Sequence, residues 1–141
     1  MTVLLVCLGA AAYMAGVGWF VGVVHYPLFP AVGPAGWGEY HARHSDRTTL
    51  VVVPAMVAEL GAAAWIAVAP PAGVAAGLAV AGLAVAVATW GLTAAAARLH
   101  GRLGDPLDPR AHHALLAVHH ARTALWTAHA VLVAVMVARA A

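Results

Sequence analysis

Four long apolar runs dominate this chain of 141 residues. They occupy residues 2–24, 48–69, 72–97 and 114–138, and each supplies the roughly 20 residues that a helix needs to cross a bilayer core of about 30 Å. The composition agrees, because 64% of the residues are hydrophobic and only 9% are charged, whereas soluble domains are nearer to about half apolar. The sequence therefore predicts a single all-α domain over residues 1–141, an integral membrane four-helix bundle in a lipid bilayer.

The segments between the runs differ in polarity. Pro70-Pro71 makes the second connection a tight, uncharged reversal, whereas residues 25–47 and 98–113 are polar and hold most of the titratable groups. We expect both polar segments on one side of the membrane, with an additional interfacial helix before the second span. Because most arginines lie in these segments, the positive-inside rule places them in the cytoplasm and both termini outside it. The first run lacks the basic segment of a signal peptide, so we interpret it as a retained span.

Small residues indicate where helices approach closely. Gly18 and Gly22 in the first run, and Gly73 and Gly77 in the third, are spaced as small-xxx-small pairs, which let helix backbones come together within a chain or between copies of a homo-oligomer. The single Cys7 allows no disulfide framework. A scattered net charge of +2 indicates no nucleic-acid partner.

Glu59 is the most unusual residue of the apolar runs. It lies about 11 residues, or about 16 Å, inside the second helix, near the bilayer midplane. An ionisable group at that depth costs several kcal/mol unless it is paired or protonated. Arg122 reaches a comparable depth in the fourth run, with Trp126 one turn further on. We therefore predict that Glu59 faces the bundle interior and pairs with Arg122, either as a structural pair or as a functional one.

Histidines in the polar segments form a predicted layer at the membrane surface: His25, His41, His44, His100, His112 and His113. His41 and His44 are spaced so that two imidazoles can face one metal ion, and they are the candidate metal ligands. On a continuous helix His44 and Glu59 are about 22 Å apart, so one ion cannot bind both. Interfacial histidines are more often solvated or hydrogen-bonded than bound to metal, so we predict no cofactor.

A deeper polar layer surrounds Glu59. It contains His119, His120 and Arg122, with Tyr13, Trp90 and Trp126 at similar depth. Adjacent residues on a helix point about 100° apart, so at most one of the two histidines faces Glu59 squarely. Haem is an alternative ligand, but these histidines share one helix, whereas bis-histidine ligation uses facing helices. The candidate catalytic residues are Glu59, Arg122, His119 and His120, and Tyr13, Trp90 and Trp126 are candidates for substrate binding.

The first span closes with His25-Tyr26-Pro27. Pro27 and Pro30 predict an extended or turning exit, which fixes the direction of His25. A loop of this kind can rim a pocket, so His25 and Tyr26 are also candidate substrate-binding residues. Its aromatic side chains equally suit an interfacial aromatic belt, which is the commoner role of such residues.

Several motifs resemble one known family. They are His25-Tyr26-Pro27-Leu28-Phe29, residues 37–44 with Tyr40-His41, residues 54–59, and Arg122-Thr123 followed by Trp126-Thr127. Together they resemble, over nearly the whole chain, a family of four-helix bacterial membrane proteins that is distantly similar to the anthrone oxygenase-like proteins. The chain departs from that family at His119-His120, where the family has an Asn-Trp pair, and at His129, where it has an arginine.

The resemblance implies a place in the bacterial inner membrane and the oxygen-dependent oxidation of an apolar aromatic or quinone-like molecule, such as an anthrone, without metal or flavin. Glu59 or a deep histidine would remove a proton from an activated carbon, and the carbanion would itself reduce dioxygen. Arg122 would stabilise the developing oxyanion. Two alternatives stay open: a non-enzymatic protein that binds metal or haem or relays protons, and a structural subunit that packs against another protein.

Overall fold

The computed structural model of the protein describes all of residues 1–141. It is all-helical and contains no strand. Its long helices are α1 (Thr2–Phe20), α2 (Pro34–Val68), α3 (Ala76–His100) and α4 (Pro109–Ala140). With the helical extension of α1 to Val32, all four are long and apolar enough to cross a membrane. The predicted all-α chain with four such helices is therefore confirmed.

Of the extended or turning exit predicted at Pro27 and Pro30, the extended form is wrong, and the chain turns only at Gly33. The chain stays helical through a π-helical turn (Val21–His25) and a 3-10 helix (Tyr26–Val32). Pro27 lacks an N–H, and in a regular α-helix its ring would clash with the carbonyl of the residue four positions earlier. The wider π turn relieves that clash, and Pro27 lies in the first turn of the 3-10 helix, where no donor is needed. His25 and Tyr26 consequently extend the rod of α1.

The segment before the second apolar run is helical, as predicted, and it joins that run without a break. Its interfacial position stays a prediction. α2 begins at Pro34, and a proline in the first turn of a helix costs no hydrogen bond, because its missing N–H would have no partner there. The helix then continues through Pro54. Its 35 residues rise about 52 Å, well beyond the thickness of a bilayer core. α2 is therefore longer than one membrane crossing requires, and its first turns make up the extra length.

The four helices form a ring in which each packs against its chain neighbours and α1 packs against α4. Buried side chains fill the ring in three layers. The layer nearest the termini includes Leu4 and Met136, the middle layer includes Met56 and Trp126, and the layer nearest residues 101–108 includes Trp37. The polar residues described in the next section lie at the level of the middle layer and of the layer nearest residues 101–108.

Close contact between α1 and α4 depends on two glycines. A Cβ at Gly18 would lie 2.6 Å from Thr123 Oγ1, and one at Gly22 would lie 2.9 Å from His119 Cδ2. A larger residue at either glycine would require Thr123 or His119 of α4 to shift, so the predicted close approach at Gly18 and Gly22 is confirmed.

The same prediction holds in part for the other two glycines. A Cβ at Gly73 would overlap the backbone carbonyl of Arg139, so the chain does approach α4 closely there, but the prediction is wrong for Gly77. Gly73 lies in the turn before α3 with a φ of 81°, a left-handed conformation that glycine adopts without strain. A Cβ at Gly77 would meet nothing within 4 Å. Residues 72–75 therefore belong to the α2–α3 connection rather than to the third helix, because Pro70-Pro71 and Gly73 favour a turn there.

Candidate functional site

The ends of α1, α2 and α3 bring four imidazoles together. His25 Nε2 lies 2.8 Å from His44 Nδ1, and His41 Nε2 lies 3.2 Å from His100 Nδ1. The rings of His44 and His100, one from each pair, are 5.6 Å apart between centroids. These four residues are termed the histidine cluster. The predicted surface layer thus contains a connected group, in which the histidines are hydrogen-bonded to one another.

Hydrogen bonding restricts the protonation of the His25–His44 pair. One nitrogen of the pair must donate and the other must accept, so the two rings cannot present N–H groups to each other. His44 Nδ1 also lies 3.2 Å from the Thr48 hydroxyl, while its buried Nε2 has no partner. In either arrangement of the shared proton, one ring nitrogen keeps a free lone pair. His44 Nε2 is buried, so the lone pair that can accept a proton from a bound molecule is that of His25 Nδ1, which is free when His25 Nε2 donates to His44.

The two predicted metal ligands contact different partners. His41 is hydrogen-bonded to His100, and His44 is hydrogen-bonded to His25. No group of three or more His, Cys, Asp or Glu side chains is arranged to hold one metal ion. The metal-binding role of His41 and His44 stays a prediction, and the structure supplies no third ligand for it.

Tyr26 connects the histidine cluster to the residues below it. Its hydroxyl lies 2.8 Å from His100 Nε2, and the edge of its ring meets His119 with centroids 4.8 Å apart. Its backbone carbonyl lies 2.8 Å from His112 Nε2, so His112 is buried rather than at the surface. Tyr26 is buried as well. It is therefore an interior residue, and the aromatic-belt interpretation does not apply to it.

Arg122 is positioned by His119 and Trp126. His119 Nε2 lies 2.8 Å from the backbone carbonyl of Gly18, to which it donates, and this leaves Nδ1 to accept a hydrogen bond from Arg122 Nη2 at 2.9 Å. The guanidinium carbon of Arg122 lies 5.1 Å from the ring centre of Trp126, a cation–π arrangement. Arg122 Nη1 also lies 3.4 Å from Thr93 Oγ1. Arg122 is thus fixed in the bundle by an imidazole and an aromatic face.

Glu59 is buried as predicted, but its predicted pair with Arg122 is wrong. One carboxylate oxygen accepts the indole N–H of Trp126 at 2.9 Å, and the other lies 2.5 Å from His129 Nδ1. Arg122, Trp126 and His129 follow i, i+4 and i+7 spacing on α4, so Arg122 lies about 10 Å before His129 along the helix. Trp126 fills the space between Arg122 and the carboxylate.

His129 is the site residue that the sequence interpretation missed. It is fully buried, and its Nε2 has no hydrogen-bond partner. One signal could have identified it. His129 lies two turns beyond Arg122 on the same helix face. A protonatable residue there meets the need of a buried carboxylate for a partner.

The other predicted site residues are not all brought into this interior. Tyr13 is 47% exposed on the outer side of α1, and His120 is exposed on α4. Trp90 packs against the middle layer beside Trp126, and its indole N–H has no partner. The roles predicted for Tyr13, His120 and Trp90 stay predictions.

A cleft of about 670 Å³ lies between α1 and α2 and is termed the α1–α2 cleft. Its apolar part is lined by Gly16, Val17, Phe20, Val21 and Val51. Its polar end is lined by His25, Tyr40, Arg43, His44, Arg47 and Thr48. The cleft therefore gives access to the His25–His44 pair, whereas Glu59, His119 and Arg122 do not line it.

Comparisons of the chain with protein-family models, with curated proteins and with solved structures found no match. The family resemblance seen in the motifs therefore stays a prediction.

Proposed function

We propose that this protein is an integral membrane oxidoreductase of the bacterial inner membrane that acts on an apolar aromatic or quinone-like molecule bound in the α1–α2 cleft. The observation that carries the proposal is the His25–His44 pair at the polar end of a largely apolar cleft. A volume of about 670 Å³ lies within the range of about 300–1,000 Å³ for small-molecule sites. A flat apolar molecule in the cleft would present its edge to an acid–base pair.

The outward-facing side chains support the placement in a bilayer. Leu50 is 76% exposed, Val68 is 87% exposed and Trp65 is 65% exposed. Large exposed apolar patches on a soluble protein mark association or membrane contact. Lipid tails satisfy such surfaces, provided that all backbone groups are paired within helices. The arginine-rich end, which carries the histidine cluster, is then the cytoplasmic end by the positive-inside rule.

The proposed reaction converts an activated CH₂ group of an anthrone-like molecule and dioxygen into C=O and water. The His25–His44 pair removes one proton from the carbon, and the resulting carbanion gives its electrons to dioxygen, which forms a C–O bond. The second C–H bond and the O–O bond then break as water leaves, and the proton on the imidazole returns to the departing oxygen. Proton transfer by a positioned base contributes about 10²–10⁴-fold to such a rate.

The deep carboxylate is not the base in this proposal. Both oxygens of Glu59 already accept hydrogen bonds, and Glu59 does not line the cleft. Arg122 is likewise held by His119 and Trp126. His119 and Arg122 lie behind Tyr26, close to the histidine cluster, whereas Glu59 lies about 22 Å from His44 along α2. The proposal therefore leaves the chemistry to the pair that the cleft reaches.

Oxygen uptake by the purified protein in nanodiscs tests the proposal directly. With 1,8-dihydroxyanthrone as substrate, we expect uptake above the rate in protein-free nanodiscs, with the anthraquinone as product. His44→Gln should lower the protein-dependent rate by about 10²-fold or more, since it removes one imidazole of the pair. His113→Gln is the matched control, because His113 is exposed and does not line the α1–α2 cleft. Uptake no faster than in protein-free nanodiscs, or equal rates in both variants, would refute the proposal.

Proton relay across the bundle receives less support than this function. The histidine cluster continues through Tyr26 towards His119 and Arg122. The ring of Trp126 then separates Arg122 from the carboxylate of Glu59. A cation–π contact carries no proton, so the side chains by themselves form no continuous hydrogen-bonded path from the cluster to Glu59.

A further inference from the structure

The polarity of the α1–α2 cleft changes along its length. From α2 the lining residues run from Tyr40 to Val51 at helical spacing, a distance of about 16 Å. The antiparallel lining from α1 runs from His25 back to Gly16. Polar groups line the cleft from Tyr40 and His25 as far as Arg47 and Thr48, and only apolar groups line the Gly16 and Val51 end. The cleft therefore fits a molecule with one polar and one apolar end.

The charged residues at the polar end of the cleft are all positive. Arg43 and Arg47 lie one turn apart on α2, and no carboxylate lines the cleft. Arg43 forms an ion pair with Glu39 at 2.5 Å, whereas Arg47 has no carboxylate within ion-pair distance. A guanidinium presents a planar set of donors that matches a carboxylate or a phosphate. Arg47 is thus available to an anionic group in the cleft.

We infer that the molecule bound in the α1–α2 cleft is an aromatic acid, whose anionic group is held by Arg47, with Arg43 beside it, and whose rings lie along the apolar walls. This inference rests on the proposed function and names its substrate class. The rings would then lie along Val17, Phe20 and Val21, and the anion would set the edge of the ring system beside His25 and His44.

An anionic bilayer lipid also combines a negatively charged group with an apolar part, as an aromatic acid does. The cleft favours the acid for two reasons. Its volume suits one compact small molecule, and its polar end holds two imidazoles and a tyrosine hydroxyl. These groups can hydrogen-bond to ring substituents, which a lipid chain lacks.

A matched pair of fluorescent ligands tests the inference. Binding of 9-anthracenecarboxylate and of neutral 9-anthracenemethanol would be measured by fluorescence anisotropy in phosphatidylcholine nanodiscs, with protein-free nanodiscs as the partition control. Ion pairs at exposed arginines correspond to about a fivefold change in affinity at most. We expect the carboxylate to bind about fivefold more tightly than the alcohol. Arg47→Gln should remove that preference and leave binding of the alcohol unchanged.

Arg102→Gln is the control variant, because Arg102 is exposed at the same end of the bundle and does not line the cleft. It should keep the preference. Equal binding of the two ligands, or a preference that survives Arg47→Gln, would overturn the aromatic-acid assignment while binding in the cleft stands. Displacement of the carboxylate by an equal concentration of short-chain phosphatidylglycerol would also overturn it, in favour of a lipid head. Failure of both ligands to bind would refute the proposed function as well.

Discussion

Replacing His129 with leucine tests how the buried carboxylate is stabilised. The change keeps a side chain of similar size but leaves Glu59 with Trp126 as its only side-chain partner. Glu59 is 1% exposed, so solvent cannot replace the lost contact. Removing the hydrogen-bonded partner of a buried carboxylate costs about 3–5 kcal/mol, because the charge of the carboxylate is left uncompensated. We expect the free energy of unfolding of His129→Leu to fall by about 3 kcal/mol.

The double variant Glu59→Leu/His129→Leu separates this cause from simple loss of packing. It removes both partners and leaves only the Trp126 indole N–H unsatisfied, a cost of about 1–3 kcal/mol. The double variant should therefore be more stable than His129→Leu alone. Unfolding would be followed by circular dichroism during titration of detergent micelles with SDS, with the exposed His113→Leu as control. The single variant Glu59→Leu completes the cycle. The reasoning would be refuted if the losses in the free energy of unfolding of Glu59→Leu and His129→Leu simply added in the double variant. A loss below about 1 kcal/mol in His129→Leu would also refute it.

Two further predictions concern packing, and both are measured in the same titration. Gly18→Ala should cost about 1–3 kcal/mol, because its Cβ would lie 2.6 Å from Thr123 Oγ1, whereas Gly9→Ala, with nothing within 4 Å of its Cβ, should be neutral or stabilising. Equal effects at the two glycines would contradict the close approach of α1 and α4. Trp37→Phe should cost about 1 kcal/mol, because it removes the 2.8 Å hydrogen bond from Nε1 to the Gly104 carbonyl, and an unchanged stability would show that this bond contributes nothing.

The helices themselves were predictable from the sequence alone. Runs of about 20 apolar residues leave few alternatives to long helices, since a bilayer offers no partner for unpaired backbone groups. The helical character of the segment before the second apolar run was also predicted, but its fusion with that run into one continuous helix was not. The π turn before Pro27 was not predicted, because whether a proline ends a helix or is accommodated within it depends on the packing around it.

The burial of Glu59 followed from its depth in an apolar run, but its partner did not. Arg122 and His129 lie on the same face of α4, and the choice between them depends on how far α4 is shifted along its axis relative to α2. Sequence periodicity fixes the face of a helix and not this shift. The shift comes from side-chain packing between the helices, in which Trp126 lies against the carboxylate and Arg122 lies on the far side of its ring.

The histidines likewise show which features follow from the sequence and which depend on helix packing. Their location at one end of the chain's helices follows from the sequence, since His25, His41, His44 and His100 all lie beside the ends of apolar runs. Their pairing into His25–His44 and His41–His100, and the cleft that reaches the first pair, arise only where α1, α2 and α3 meet. Local sequence thus determined which groups are polar and at what depth they lie. Tertiary packing alone decided which of them touch, because contacts between helices depend on rotation and axial shift, which no single helix encodes.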